Sequence, residues 1–393
     1  MSITKKKIIV LGSTGSIGTN TLDVVRRFPE SFQIVGLSCR NNVQKLRGQV
    51  LEFRPRAVAL TAESSGQTDL INEFSSSSVK VYRGDGCLAE MIVEVKADLV
   101  VNGISGSKGL LPTLQCLEAG VDLALANKES MVMAGALIME TAGRSGARLV
   151  PVDSEHFGMF SLLRKIDRQD VEQLILTASG GAFRDLPLEK WRDIRLQDAL
   201  DHPNWLMGPK NTIDSATMAN KGLEFIEARH FFQFDPGQIK VLIHPQSYVH
   251  ALVRTIDGFL YAQISQPDMR LVIQAAISFP DMLLSPFAPL DLEDTELRFY
   301  APDLKKYRML QLAYRAVELG GAFPIVYNAA NEVAVDLFMK EKILFIEIPR
   351  LVEKILEDSW SQGCQTVEEI LVIDDLARRR AIDEAIKYKK VVS

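Results

Sequence analysis

Cysteine is scarce in this chain of 393 residues: there are four, Cys39, Cys87, Cys116 and Cys364, all far apart. They form no metal-type pair and suggest no disulfide framework, which excludes a small stapled secreted fold and points to a reducing compartment. Histidine is nearly as rare. The five histidines, at 156, 202, 230, 244 and 250, include no HExxH-like pair, which weighs against zinc. His230 lies in a phenylalanine-rich helical stretch and reads as packing. No basic block stands out, and a formal net charge of −5 carries no nucleic-acid signature. Apolar runs of membrane-spanning length are also missing. Lys5-Lys6-Lys7 is followed only by Ile8–Leu11 before Gly12, too short for the apolar region of a signal peptide. The expectation is a cytoplasmic protein with neither nucleic-acid nor membrane partners.

What is present is an ordinary globular balance, 47% hydrophobic and 24% charged, over a length that implies two or three domains. Up to about residue 153, short apolar runs alternate with helical periodicity. Strands are expected at Ile8–Leu11, Phe32–Leu37, Ala57–Leu60, Val79–Val81, Leu99–Asn102, Asp122–Ala126 and Leu149–Val152, with helices such as Thr21–Phe28, Val43–Phe53, Leu88–Val95 and Leu111–Ala119 between them. Repeated strand–helix–strand units predict a Rossmann-like, doubly wound parallel sheet. Ser75–Ser78 reads as a polar loop. Residues 154–279 change character, with strands expected at Val171–Thr177, around Val241–His250 and at Gly258–Ile264, an α+β domain with a mixed sheet. Residues 280–308 are a proline-bearing connector, and 309–393 form a C-terminal helical bundle with helices at Leu310–Leu319, Ala329–Lys340, Pro349–Asp358 and Val367–Lys387. The polar run Asn328–Glu332 is read as a helix start.

The first strand runs into Gly12-Ser13-Thr14-Gly15-Ser16-Ile17-Gly18 and then a helix. Glycines there let backbone amides and a helix N-terminus close on a pyrophosphate. The spacing is G-x-x-G-x-x-G, so the strand before and the helix after carry the reading. A glycine-rich turn with no ligand is the competing view. At the end of the second strand, where an acid would bond a ribose 2′-hydroxyl, stand Arg40 and Asn41. A guanidinium favours a 2′-phosphate, hence NADP over NAD; Arg40 as a plain surface charge is the alternative. Two more turns fall on the same sheet edge, one at Gly103 and one at Asn127-Lys128-Glu129.

The seventh strand ends in Asp153-Ser154-Glu155-His156, where two acids one residue apart repel and need a positive partner or water between them. A second polar stretch, Asp214–Glu227, reads as a helix capped by Asp214 or Ser215. On it Thr217, Asn220, Lys221 and Glu224 share a sector, opposite Met218, Gly222, Phe225 and Ile226. Such a face is usually solvent, but a mid-helix Gly222 costs about 1 kcal/mol against alanine and is better explained by close approach of backbone or substrate. Asp153, Glu155 and Glu224 give three carboxylates and no thiolate, a donor set for Mg²⁺ or Mn²⁺. Ser179, Ser215, Asn220 and Lys221 are hydroxyl, amide and ammonium donors of the kind that bind phosphate. The stretch Asp201–Lys210, with Trp205, Met207 and Gly208, suggests a flap over a ligand, or a structural loop whose tryptophan packs inward. With NADPH as hydride donor, the chemistry points to reduction of a phosphorylated hydroxy-carbonyl compound.

The segments GSTGSIG, ANKE, DSEH, SGG, HPNW, SATM, NKGLE and NAANE all stand in this chain, and over nearly its whole length it resembles the 1-deoxy-D-xylulose 5-phosphate reductoisomerase family. The resemblance implies conversion of 1-deoxy-D-xylulose 5-phosphate to 2-C-methyl-D-erythritol 4-phosphate in the non-mevalonate isoprenoid pathway, by carbon–carbon cleavage and rejoining and then reduction by NADPH. It implies a V-shaped homodimer of three-part subunits. By motif, Asp153, Glu155 and Glu224 would bind the metal, and Ser154 and Lys128 the substrate backbone. Ser179, Ser215, Asn220 and Lys221 would hold the phosphate, and His202, Trp205 and Met207 belong to the flap. Lys128 and His202 join the three carboxylates as the catalytic set. The cofactor set is residues 12–18 with Arg40, Asn41, Gly103, Asn127, Lys128, Glu129 and Gly208.

Five positions depart from the family pattern: Phe157, Ala182, Cys39 and Arg40 (in Cys39-Arg40-Asn41, where Gly-Lys-Asn is common) and Ala219. None removes a ligand or a charge. Two other readings stay open at this point: another NADP-dependent oxidoreductase of a small hydroxy-carbonyl substrate, such as a homoserine-type dehydrogenase, and a non-catalytic NADP-sensing regulator.

Overall fold

The computed structural model describes residues 5–62, 74, 78–201, 204–205, 207–360 and 363–388. His202 and most of the Ser75–Ser78 stretch lie outside the described residues. Two compact units emerge: residues 1–127, 138–157 and 268–288 form the first, and 128–137, 158–267 and 289–393 the second.

The first unit holds a seven-stranded sheet of β1 (Lys6–Leu11), β2 (Phe32–Cys39), β3 (Ala57–Leu60), β4 (Lys80–Arg83), β5 (Leu99–Asn102), β6 (Asp122–Leu125) and β7 (Leu149–Pro151). Every paired neighbour is parallel, in the order β4-β3-β2-β1-β5-β6-β7. Ile8, Ile9, Val10 and Leu11 are wholly buried, as expected of strands covered by helices on both faces. The helix Ser16–Arg27 turns Leu22, Val24 and Val25 inward and ends on Arg26 and Arg27, cations placed well for the helix dipole. Strand order reverses between β1 and β5, which is where doubly wound sheets open a crevice for ligands.

Residues 268–288 pack back onto this sheet domain rather than continuing the next one. Asp268 caps the helix Met269–Ser278, and Arg270 bonds both Asp268 and, at 3.2 Å, Asp23. The Lys6 ammonium donates to the carbonyls of Ile277 and Phe279 at 2.9 and 3.0 Å. Arg27 and Arg270 both lie over the Phe287 ring. These charged and cation–π contacts explain a return that apolar periodicity does not reveal.

The second unit is built on β8 (Val171–Ala178), β9 (Ile239–Ile243), β10 (Val249–Thr255) and β11 (Leu260–Ile264), in the order β11-β10-β8-β9. β8 and β9 are parallel and the other pairs antiparallel, the mixed sheet expected. The connector is pinned to it at Tyr300, which exchanges backbone hydrogen bonds with Ile243.

The helices differ from expectation at two places. Asp214 does not begin a helix. It sits near the end of Pro209–Thr217, which stops at Met218 in the left-handed region (φ 63°), and Ala219–Phe232 starts afresh. The helix expected at Ala329–Lys340 runs instead from Phe323 to Met339, with Pro324 in its first turn, so Asn328, Asn331 and Glu332 lie inside it rather than at its start. The turn at Gly320 and Gly321, both with positive φ, ends the preceding helix only just before. Gly222 is explained by packing: a Cβ there would meet the Tyr327 hydroxyl at 2.6 Å and the Ala313 Cβ at 2.7 Å.

Candidate active site

In the first unit, the loop after β1 is shaped by glycine. Gly12 adopts φ +73°, and a Cβ on it would sit 3.0 Å from the Gly103 carbonyl oxygen, so the turns after β1 and β5 lie against each other. At Gly18 a Cβ would fall 2.4 Å from both Gly12 O and Ser13 Cα, a close approach that only glycine permits. Gly15 precedes the helix Ser16–Arg27, and no side chain caps that helix. An uncapped helix N-terminus beside a glycine turn fits a pyrophosphate. Ser13 is buried, its hydroxyl bonded to Gln49 Oε1 at 2.7 Å, while Thr14, Gly15, Ser16 and Ile17 are exposed or half-buried. Arg40 and Asn41 stand exposed just past the end of β2. Asn127 donates to the carbonyls of Ile104 and Gly106 at 2.7 and 2.9 Å and so holds the loop after β5.

At the end of β7, Asp153, Ser154 and Glu155 open the helix Ser154–Leu163. The Ser154 hydroxyl donates to the Glu155 carboxylate. His156 is fully buried, with Nδ1 3.1 Å from Asp153 Oδ1. A ring fixed against a carboxylate this way sets its direction, as partners behind metal-binding carboxylates do. The sequence reading had no role for His156; its i, i+3 spacing from Asp153 at a helix start was the available signal.

In the second unit the charges gather. Lys128, the first residue of its helix, donates to Asn220 Oδ1 at 2.8 Å and to Glu224 Oε1 at 3.1 Å. Asn220 and Lys221 also donate to the Glu224 carboxylate, which is only 1% exposed. Of the polar sector expected on this helix, Asn220, Lys221 and Glu224 lie together and bond one another, while Thr217 falls on the preceding helix, beyond the break at Met218. Lys210 adds a further pair, 2.7 Å from Glu129 Oε1 and 2.8 Å from Asp214 Oδ2. Burial works against charge on both, yet Glu129 is held below the usual carboxylate range by Lys210, and Lys210 is raised by Asp214 and Glu129. Asp214 Oδ1 accepts from Asn331 at 2.9 Å. Behind it, Glu332 accepts from Asn328 and Arg378, both at 3.0 Å. Sequence reasoning missed this network because it took Asn328–Glu332 for a helix start. The signal was available: polar residues within the apolar run Ala322–Phe338 must find partners.

Gly181, at φ +70°, donates its amide to Ser179 Oγ at 3.1 Å and packs so closely on the next segment that a Cβ would collide with Ser215 O at 2.6 Å and Ala216 Cα at 2.7 Å. The Gly180 carbonyl accepts from the Tyr307 hydroxyl at 2.9 Å, which anchors that turn. In the expected flap, Trp205 is half-buried with its ring 6.1 Å from that of His250, and Asn204 donates to Pro245 O and Ser247 Oγ. Met207 and Gly208 are half-buried, and Gly208 precedes Pro209–Thr217. His244 and His230 are structural. His244 accepts from the Tyr248 amide through Nε2 and is lowered by burial, and His230, pushed to about 4 by burial, packs where a Cβ on Gly135 would touch it.

Comparison with known proteins accounts for this arrangement. Residues 8–135 match the family described as 1-deoxy-D-xylulose 5-phosphate reductoisomerase. Residues 149–232 and 264–380 match two C-terminal domains of the same enzyme. The 1-deoxy-D-xylulose 5-phosphate reductoisomerase of Rippkaea orientalis is 44% identical, covering 99% of each chain. The chain belongs to the 1-deoxy-D-xylulose 5-phosphate reductoisomerase family. The enzyme of that name from Synechocystis is 45% identical over 97% of this chain and 98% of its own. Among solved structures, a DOX-P reductoisomerase in complex with NADPH, fosmidomycin and magnesium has a TM-score of 0.91 at 38% identity, covering 97% of this chain and 98% of that one. The Zymomonas mobilis enzyme in complex with NADPH has a TM-score of 0.90 at 37% identity, over 97% and 99%. This family's fold is a parallel sheet domain, a mixed-sheet domain and C-terminal helices, as observed here. The regulator and homoserine-type dehydrogenase readings fall away.

Proposed function

We propose that this protein converts 1-deoxy-D-xylulose 5-phosphate to 2-C-methyl-D-erythritol 4-phosphate, using NADPH and a divalent metal ion, Mn²⁺ or Mg²⁺. What carries the reading is the buried cluster of Lys128, Asn220, Lys221 and Glu224 in a chain that is like reductoisomerases from end to end. The solved relatives holding NADPH and magnesium support both cofactors. The residues here fit each of them: the turns at Gly12, Gly18 and Gly103, packed more closely than any Cβ would allow, suit a dinucleotide, and an all-oxygen carboxylate set suits a hard cation. When bound, NADPH supplies the hydride and the ion polarises the substrate carbonyl.

Residues 1–153 hold the nucleotide, with backbone groups of residues 12–18 at the pyrophosphate and Arg40 and Asn41 at the 2′-phosphate. Gly103, Asn127, Lys128, Glu129 and Gly208 complete that set. Asp153, Glu155 and Glu224 are the metal ligands, with His156 directing Asp153. Residues 154–279 bind substrate. Ser154 and Lys128 orient its hydroxyl and carbonyl oxygens. Lys221 and Asn220, with the hydroxyls of Ser179 and Ser215, hold the phosphate, where charge-assisted bonds are the strongest. Trp205 and Met207, with His202, cover the substrate and exclude water. Residues 309–393 brace the helices that carry these groups.

The protein acts as a homodimer in the cytoplasm. Among the described residues, no helix is long and apolar enough to cross a membrane. β11 is the edge strand of its sheet, and Phe259, Leu260 and Tyr261 beside it are 65%, 51% and 46% exposed. An unpaired apolar edge is the kind of surface that two copies cover about a two-fold axis. The deciding experiment is NADPH oxidation with 1-deoxy-D-xylulose 5-phosphate, with and without Mn²⁺. Turnover that needs both is expected; oxidation without the metal, or none at all, would sink the proposal.

A further inference from the structure

Lys210 joins two segments that sequence keeps apart. Its ammonium donates to Glu129, the neighbour of Lys128 in the first turn of one helix, and to Asp214, near the end of Pro209–Thr217. That second helix feeds through the left-handed Met218 into Ala219–Phe232, the carrier of Asn220, Lys221 and Glu224. One ammonium therefore ties the base of Lys128 to the base of the residues Lys128 touches. Asn331 and Glu332 hold the tie from behind: Asn331 donates to the other Asp214 oxygen, and Arg378 bonds both Glu332 and Asp374. Glu129, Asp214 and Asn331 are almost wholly buried.

A buried ion pair is weak support for stability, because desolvation offsets the attraction, but it can impose one register on the elements it joins. The register at stake here is the reach of Lys128 to Asn220 and Glu224, at 2.8 and 3.1 Å. We propose that Lys210 is a positioning residue for the reaction: clamped between Glu129 and Asp214, and backed by Asn331, it sets where the Lys128 ammonium stands relative to Glu224. The inference rests on the placement of Lys128 at the substrate made above.

The test uses the full-length protein with NADPH, 1-deoxy-D-xylulose 5-phosphate and Mn²⁺. A side chain of similar length without charge, Lys210→Met, is expected to lower kcat by about 100-fold, the order of loss that a small misplacement of a reacting group produces. KM for the substrate and the NADPH Kd, read by protein fluorescence, should stay within about threefold, since Lys210 itself is placed at neither the phosphate nor the nucleotide. In a Lys128→Ala background, Lys210→Met should cause almost no further loss, because residues acting through one group are not additive. Asp214→Asn keeps the shape of the side chain on the other side of the clamp and should repeat the pattern more mildly if Lys210→Met fails to fold. An unchanged kcat in both variants overturns the proposal. So does a loss that multiplies in full onto Lys128→Ala, or one shared equally by kcat, KM and NADPH binding. Full turnover by Lys128→Ala alone would instead remove Lys128 from the site, a different failure that the same panel identifies.

Discussion

The two units prepare for their ligands by opposite means. The first does it with backbone: Gly12 and Gly18 let turns and a helix end approach within distances that any side chain would block, and Ser13 faces inward. The second does it with charge: Lys128, Lys210, Lys221, Glu129, Asp214 and Glu224 are buried or nearly so, each bonded to another of the set. A backbone cradle is local, so its parts lie within a few residues of one another. A buried charge must be answered by an opposite charge or a strong donor, wherever in the chain that partner comes from. Hence mutation of the glycine turns and mutation of the buried charges should separate nucleotide binding from turnover.

The largest effect should come from Glu224. Glu224→Gln keeps the shape but removes the charge that faces Lys128 and Lys221 and, in the proposed site, the metal. Turnover should fall by roughly 10³-fold or more, the scale on which loss of a central electrostatic group acts, while the NADPH Kd stays unchanged by fluorescence titration. A mutant that still responds to Mn²⁺ would refute the metal assignment. One that also lost NADPH would break the contrast between the units.

The converse is Gly18→Ala. Its new methyl would lie 2.4 Å from Gly12 O and Ser13 Cα, backbone atoms that cannot swing aside. Overpacking of this kind costs about 1–3 kcal/mol, and the β1 turn must open to relieve it. The expected result is NADPH binding weakened by about 10- to 100-fold with the melting temperature of the apo protein lowered by several degrees. Substrate and metal contacts of the second unit should be untouched, so that kcat at saturating NADPH stays near wild type. A large fall in that kcat with unchanged NADPH affinity would reverse the roles assigned to the two glycine turns.

The same contrast explains what could be read in advance. The strands of the parallel sheet are continuous apolar runs such as Ile8–Leu11, and the glycine loop announces itself by position, so strand locations and the tight glycine turn after β1 were legible. So were the individual polar side chains at Lys128, Asn220, Lys221 and Glu224, because each stands out against an apolar neighbourhood. Their linkage was not. Lys210 meets Glu129 across 81 positions, and Asn331 meets Asp214 across 117, separations no periodicity connects. The return of Asp268–Ala288 to the first unit depends in the same way on side chains such as Arg270 and Asp23, 247 positions apart. The break at Met218 was hidden for a different reason: Asp214 has the chemistry of a cap, but its carboxylate is already engaged by Lys210 and Asn331.

The smallest effect tests whether nucleotide binding uses any side-chain charge at all. Arg40 is exposed beyond β2, so its bond to a 2′-phosphate would form in water, where a charged pair contributes about 0.2–1 kcal/mol. Arg40→Ala should therefore raise the NADPH Kd by only about 2- to 5-fold and leave the NADH Kd unchanged. The difference should shrink at about 1 M salt, where the screening length falls to roughly 3 Å. Equal weakening of both nucleotides would mean that Arg40 supports the loop rather than reads the phosphate. No change in either would make the cradle a matter of backbone alone, and would leave the choice of NADPH over NADH to Asn41 and the donors around it.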